Sequence, residues 1–213
     1  MKQALGILAL ALGVVVAAAV PAFAADEQGP EALVKQVTQE VLDAIKSDKQ
    51  LAAGDRRKAQ QLAEEKVLPH IDFEEATRLA VGRSWSQASP EQKKKLAAEF
   101  RRMLVRTYSN AIQPYEGQTI KVAPVRMKAG DTDVTVHNTF IRSGGKPVGF
   151  DYSMHKTDKG WKIYDIVVEG VSLVLTYRSE FDAIVKQEGV DGLIKRLASK
   201  NTPAAVGGSA PGK

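Results

Sequence analysis

The sequence predicts an α+β fold with its helices and strands segregated: N-terminal helices, a four-stranded curved antiparallel sheet and closing C-terminal helices. Three observations predict it. As far as about Gln113, apolar residues recur at three- and four-residue spacing; from Gln118 to Val168 they alternate instead. Third, the segment GWKIYDIVVEGVSLVLTYRSEF (160–181) leaves a strand at Glu169-Gly170 and enters a run, Val171, Leu173, Val174 and Leu175, that is apolar nearly all round. Read as the start of a helix, that run must be covered on every side. It is then the centre of a dry core, or it lines a cavity that an apolar ligand completes.

Gly29-Pro30 opens the first helix, which the periodicity carries to about Lys46, with Pro30 suited to a first helical position. Leu33, Val34, Val37, Val41, Leu42 and Ile45 form its buried stripe. A second helix is expected over 55–68, stopped by Pro69. Asp72 and Glu75 have the spacing of a capping box, in which each would bond to the other's backbone N–H. The helix they start carries Phe73, Ala76, Leu79 and Ala80 and ends near Gly82. Ser89-Pro90-Glu91-Gln92 is the clearest helix start in the chain. The helix after it is expected to reach about Gln113, with Leu96, Phe100, Met103, Leu104, Thr107, Tyr108 and Ile112 on one face.

Strands are expected over 118–126, 133–142, 148–156 and 161–168, joined by Ala129-Gly130-Asp131, Ser143-Gly144-Gly145-Lys146 and Asp158-Lys159-Gly160. Such short connections imply an antiparallel meander. Val134, Val136 and Phe140 share one face of the second strand; Val148, Phe150, Tyr152 and Met154 share one face of the third. The fourth has no clean pattern, because Trp161, Ile163, Asp165 and Val167 fall on one side and Tyr164, Ile166 and Val168 on the other. Gly189 precedes a last helix over 190–199, and residues 201–213, rich in Ala, Gly and Pro, are expected to be a disordered tail.

Residues 1–24 read as a signal peptide: Lys2, an uncharged run over 4–20, and Ala22-Phe23-Ala24 as a small-x-small cleavage site. An uncleaved anchor is the alternative, although the run is shorter than the ~20 residues that span a bilayer. The remainder, 25–200, is expected to fold as one soluble domain. Cysteine is absent, so that domain must hold without disulfides. Without Lys2 the formal charge falls from +5 to +4, too mild an excess for a nucleic-acid binder. The basic runs Arg56-Arg57-Lys58, Lys93-Lys94-Lys95 and Arg101-Arg102 read as solvated helix faces, with docking of an anionic partner as the alternative.

Catalytic constellations are scarce. Thiol nucleophiles and thiolate metal sites are excluded by the missing cysteine. His70, His137 and His155 read as solvated surface residues with no carboxylate spaced to orient them. No Gly-x-Ser-x-Gly elbow, phosphate loop or HExxH is present. Asp165 on the fourth strand is the one candidate general base, though accepting hydrogen bonds from a neighbouring turn is the expected role. Gly170 is expected to supply a backbone conformation closed to other residues.

In order along the chain, Gly82-Arg83-Ser84-Trp85, Ala88-Ser89-Pro90-Glu91-Gln92, Phe100 with Thr107-Tyr108, Gly117-Gln118-Thr119, Trp161 with Tyr164-Asp165, Glu169-Gly170-Val171-Ser172 and Gly189-Val190-Asp191-Gly192-Leu193 resemble the MlaC family. These are periplasmic phospholipid-binding proteins, also called toluene-tolerance auxiliary proteins. The resemblance implies a carrier that moves phospholipid across the Gram-negative periplasm to maintain outer-membrane lipid asymmetry. Its implied partners are an inner-membrane ABC transporter complex with an MCE domain and an outer-membrane lipoprotein–porin complex. It implies no cofactor, no metal and no enzymatic activity. A related branch accompanies hopanoid synthesis and offers another lipid.

Such a carrier needs a dry chamber. Two acyl chains hold about 30 methylenes, each contributing ~0.8 kcal/mol on burial, so a comparable apolar volume must receive them. The candidate walls of an apolar cavity between sheet and helices are Phe100, Leu104 and Tyr108 on the long helix, and Val136, Phe140, Phe150, Tyr152 and Met154 on the sheet. Tyr164, Ile166, Val171 and Val174 would complete it around the corner. Enlarging or charging Leu104 or Val171 is expected to lower lipid occupancy more than stability. A small cavity enzyme using Asp165 and a periplasmic adaptor with a solid core are the rival readings.

Overall fold

The computed structural model describes residues 28–109, 115–142 and 144–202, with the side chain of Ser109 left out; the expected signal peptide, residues 110–114 and positions 203–213 lie outside the described residues. Among the described residues six α-helices and five strands follow one another: α1 (Pro30–Ser47), α2 (Lys49–Ala52), α3 (Arg56–Lys66), α4 (Phe73–Val81), α5 (Pro90–Ser109), β1 (Thr119–Val122), β2 (Asp133–Ile141), β3 (Val148–Thr157), β4 (Gly160–Val168), β5 (Val171–Ser172) and α6 (Arg178–Asn201). The strands form one antiparallel sheet in the order β1-β2-β3-β4-β5. The α+β meander is thus as expected, with one short strand more than the alternation marks.

Local signals start the helices where the sequence places them. At α5 the capping box is complete: the Ser89 N–H donates to Gln92 Oε1 (2.9 Å) and the Gln92 N–H to Ser89 Oγ (3.2 Å). At α4 only half of it forms. The Glu75 N–H donates to Asp72 Oδ1 (2.9 Å), but the Glu75 carboxylate turns to Arg78, and the Asp72 N–H donates to Ile163 O (2.7 Å). That last bond fastens the start of α4 to the middle of β4. Asp48, which ends α1, accepts from the N–H groups of Gln50 and Leu51 and so begins the extra turn α2.

The apolar run after Gly170 is not a helix. Val168 pairs with Val171 across a two-residue turn in which both Glu169 (φ 48°) and Gly170 (φ 83°) are left-handed, so the chain doubles back as a hairpin. A single 3₁₀ turn, Leu175–Tyr177, then leads into α6. Gly189 (φ 71°, ψ −178°) interrupts α6, leaving the last helix one that runs on to Asn201.

A bulge accounts for the ambiguous fourth strand. Ser153 pairs with Asp165 while its neighbour Met154 pairs with Ile163, so Tyr164 is an extra residue on β4. Apolar side chains on either side of the bulge thereby line up: Ile163 lies opposite Met154, and Ile166 opposite Tyr152.

Two buried clusters result. One is helical, with Leu96 and Phe100 of α5 against Phe181, Leu193 and Leu197 of α6; the ring of Phe100 meets Tyr177 and Phe181 edge-on at 5.4 and 5.3 Å. The other joins Val34 of α1 to Val136, Met154, Trp161 and Ile163 of the sheet.

Candidate functional site

Two apolar cavities lie along the seam between these clusters. The larger, about 540 Å³, is roofed by Val37, Val41, Leu42 and Ile45 of α1 and by Leu62 and Ala63 of α3. Its floor is the sheet, through Ile120, Phe140, Tyr152 and Ile163. The stripe of α1 therefore packs at one end only. Val34 is buried, but Val37, Val41, Leu42 and Ile45 remain half-buried because they face a void. Burial pushes the Tyr152 phenol up to about 12. His70 reaches the same cavity. Burial lowers its imidazole from the ordinary histidine value, with the Lys162 ammonium adding to the effect and Glu40 opposing it.

The smaller cavity, about 300 Å³, is bounded by Leu68, Ile71, Phe73 and Ala76, by Leu104, Val105 and Tyr108 of α5, and by Tyr164, Ile166 and Val174. Ala63 and Ile163 line both cavities, so the two adjoin. Both volumes are in the range of small-molecule sites, which bind mainly by apolar contact and orient their ligand with a few polar groups.

Asp165 is the carboxylate nearest this chamber, and its oxygens are engaged. Oδ1 accepts from the N–H groups of Ile166 (2.8 Å) and Val174 (3.2 Å), and Oδ2 accepts from Ser172 Oγ (2.5 Å). Ser172 Oγ in turn accepts from the Leu175 N–H (2.8 Å). The buried carboxylate thus ties the chain after the β4–β5 hairpin back onto β4, the structural role the sequence suggests.

Of the twelve candidate walls, Phe140 and Tyr152 line the larger cavity, and Leu104, Tyr108, Tyr164, Ile166 and Val174 line the smaller. The other five stand elsewhere. Phe100 is fully buried in the helical cluster, and Val136 and Met154 are fully buried in the sheet cluster. Phe150 packs edge-on against Tyr152 at 5.3 Å. Val171 is 59% exposed, because the segment it opens is a hairpin strand and not a helix with buried sides. The roof from α1 and α3 is absent from that expectation. Its only sequence signal was a helical stripe, which reads the same whether it meets packing or a void.

The histidines also depart from expectation. His155 Nε2 lies 3.0 Å from Asp72 Oδ2, and His137 Nδ1 lies 2.9 Å from Asp151 Oδ1, so both have carboxylate partners. Among the described residues no cluster of His, Asp and Glu could hold a metal ion, and no helix is long and apolar enough to cross a membrane.

Known proteins resemble this chain in sequence, and one of them in fold. The family model described as MlaC protein matches residues 35–199. An intermembrane phospholipid transport system binding protein MlaC from Haemophilus influenzae is 23% identical over 174 residues, covering 80% of this chain and 81% of its own. The toluene tolerance protein ttg2D of Pseudomonas putida is 24% identical over 178 residues, covering 83% and 82%. A phospholipid-binding protein from Ralstonia solanacearum, solved in complex with a phospholipid, is 40% identical with a TM-score of 0.71. That match covers 83% of this chain and 97% of the other.

Proposed function

This chain belongs to the MlaC family, and from that membership and its adjoining cavities we propose that it is a phospholipid-binding transport protein of the periplasm. The observation that carries the reading is the seam itself: apolar space of about 540 and 300 Å³, meeting at Ala63 and Ile163, where a solid core would close. Acyl chains are a natural occupant, since each methylene taken from water contributes ~0.8 kcal/mol. Leu104, Tyr108, Phe140, Tyr152, Tyr164, Ile166 and Val174 then contact the tails, together with the roof from α1 and α3. The relatives named for phospholipid transport, and the related structure solved with a phospholipid, support this choice of ligand.

On this reading residues 25–200 act as one lipid-binding domain, exported by the segment 1–24 and released by its cleavage. Lipid passes between an outer-membrane lipoprotein–porin complex and an inner-membrane ABC transporter complex with an MCE domain, maintaining outer-membrane lipid asymmetry. No cofactor or catalytic step is required. The three donors on Asp165 support a structural carboxylate over a general base.

Native mass spectrometry of the protein, exported by a Gram-negative host and purified without detergent, tests this directly. The expected result is a mass increment equal to a diacyl phospholipid, confirmed by lipid extraction. Bare protein that stays bare after incubation with liposomes would overturn it.

A further inference from the structure

The smaller cavity continues into polar surroundings. Leu68 and Val105 line it, and they also line a recess of about 350 Å³ whose remaining walls are Gln60, Glu64, Arg101, Arg102, Arg106 and Asn201. Three guanidinium groups there face one carboxylate. Arg101 lies over the ring of Phe73, 5.5 Å from its centroid, and Phe73 is itself a wall of the apolar cavity. Its charge therefore sits at the rim between the two compartments. Arg102 Nη1 donates to Glu99 Oε1 (2.7 Å), while its side chain is 63% exposed. Arg106 is braced from behind, donating through Nη1 to the carbonyl oxygens of Lys200 (2.9 Å) and Thr202 (3.4 Å).

We propose that this recess seats the phosphodiester of the bound phospholipid, held by Arg101 and Arg102 with Arg106 supporting the field. The inference rests on the function proposed above. A guanidinium is a planar fork with five N–H donors, suited to bidentate contact with phosphate. A bond from one nitrogen to Glu99 leaves Arg102 with donors to spare. The geometry of α5 makes the match continuous. Arg101, Val105 and Tyr108 follow one another along one side of the helix, rising about 10 Å from the first to the last, and pass from the basic recess through the shared wall to the apolar cavity. One helix face thus matches an amphipathic molecule from head to tail. The basic pair that reads in sequence as a solvated helix face acquires a ligand.

The test offers lipid-free protein vesicles containing equal amounts of dioleoylphosphatidylglycerol and dioleoylglycerol, which share their tails and differ in the phosphoglycerol head. Native mass spectrometry then counts each bound lipid. Wild type should take the phosphatidylglycerol preferentially, and Arg101→Ala/Arg102→Ala should lower the ratio about tenfold. Arg101→Lys/Arg102→Lys, which keeps charge without the fork, should restore part of it. Only lipid-bearing molecules enter the ratio, so loss of folded variant does not imitate the effect. Equal loading of the two lipids by wild type, or a ratio unchanged in the alanine variant, would overturn this inference and leave the carrier function standing. Loading of neither lipid would instead overturn the carrier function. In a separate calorimetric arm, millimolar glycerol 3-phosphate should show no measurable binding. Arginine-dependent binding of that soluble ester would reassign the recess to free phosphate esters and overturn the headgroup seat.

Discussion

At the scale of single residues, position in the fold sets chemistry that the sequence leaves open. His70 follows a proline and looks like a surface residue, yet it reaches the larger cavity, where burial lowers its pKa. The folded value lies below the unfolded value of about 6.5, so the unfolded chain takes up a proton first. Stability is therefore fully present above that value and falls as pH drops through it toward the folded pKa. Urea denaturation at pH 7 and pH 5 should show a smaller loss for His70→Gln than for wild type, and parallel losses would remove His70 from the acid sensitivity. The partners of the other two histidines were illegible for a similar reason. Asp72 and His155 stand 83 positions apart and meet only because α4 is fastened to β4. Asp165 was readable as structural, but not its donors, which arrive from a hairpin that the sequence does not announce.

At the scale of elements, helices with chemical start signals and the four long strands are legible, but the facing of the fourth strand and the short hairpin strand after it are not. Ser89 to Gln92 carries both halves of a reciprocal cap and forms both; Asp72 and Glu75 have the same spacing, but the nearby strand takes the N–H that Glu75 would have bonded. Val171 to Leu175 is apolar nearly all round and fits helical and strand spacing alike, so the hairpin there depends on its turn. That turn needs two left-handed residues and has glycine at only the second, leaving Glu169 in a conformation that costs an ordinary residue about 1–2 kcal/mol. Gly170→Ala should lose a similar ~1–2 kcal/mol. The cost would be all backbone, because an added Cβ at Gly170 has nothing within 4 Å. Urea unfolding checks it, and an unchanged midpoint would mean that the turn is not held as described. The extra residue at Tyr164 is likewise invisible to period counting. An alternation that breaks in mid-strand reads as noise until the register shows a bulge.

For the whole molecule, periodicity tells which side of an element is apolar but not whether that side meets atoms or a void. The α1 stripe, the sheet face and the α5 face were all legible as apolar; the space between them is set by how far two clusters stand apart. Hence Phe100, Val136 and Met154, apolar residues on those faces, belong to the clusters, while Leu62 and Ala63, unremarkable in sequence, frame the chamber. Ala63 separates the two descriptions, because it is small and half-buried and faces both cavities. In a close-packed core, Ala63→Phe would overpack and cost roughly 1–3 kcal/mol. Placed at the junction of two cavities, the ring instead fills empty apolar space, so the lipid-free protein should unfold at an equal or higher temperature. The same ring obstructs the passage between the compartments, so phospholipid recovered per protein should fall severalfold. The two readouts are independent: a drop in Tm with lipid content retained would mean that the seam is ordinary core and that the tails lie elsewhere.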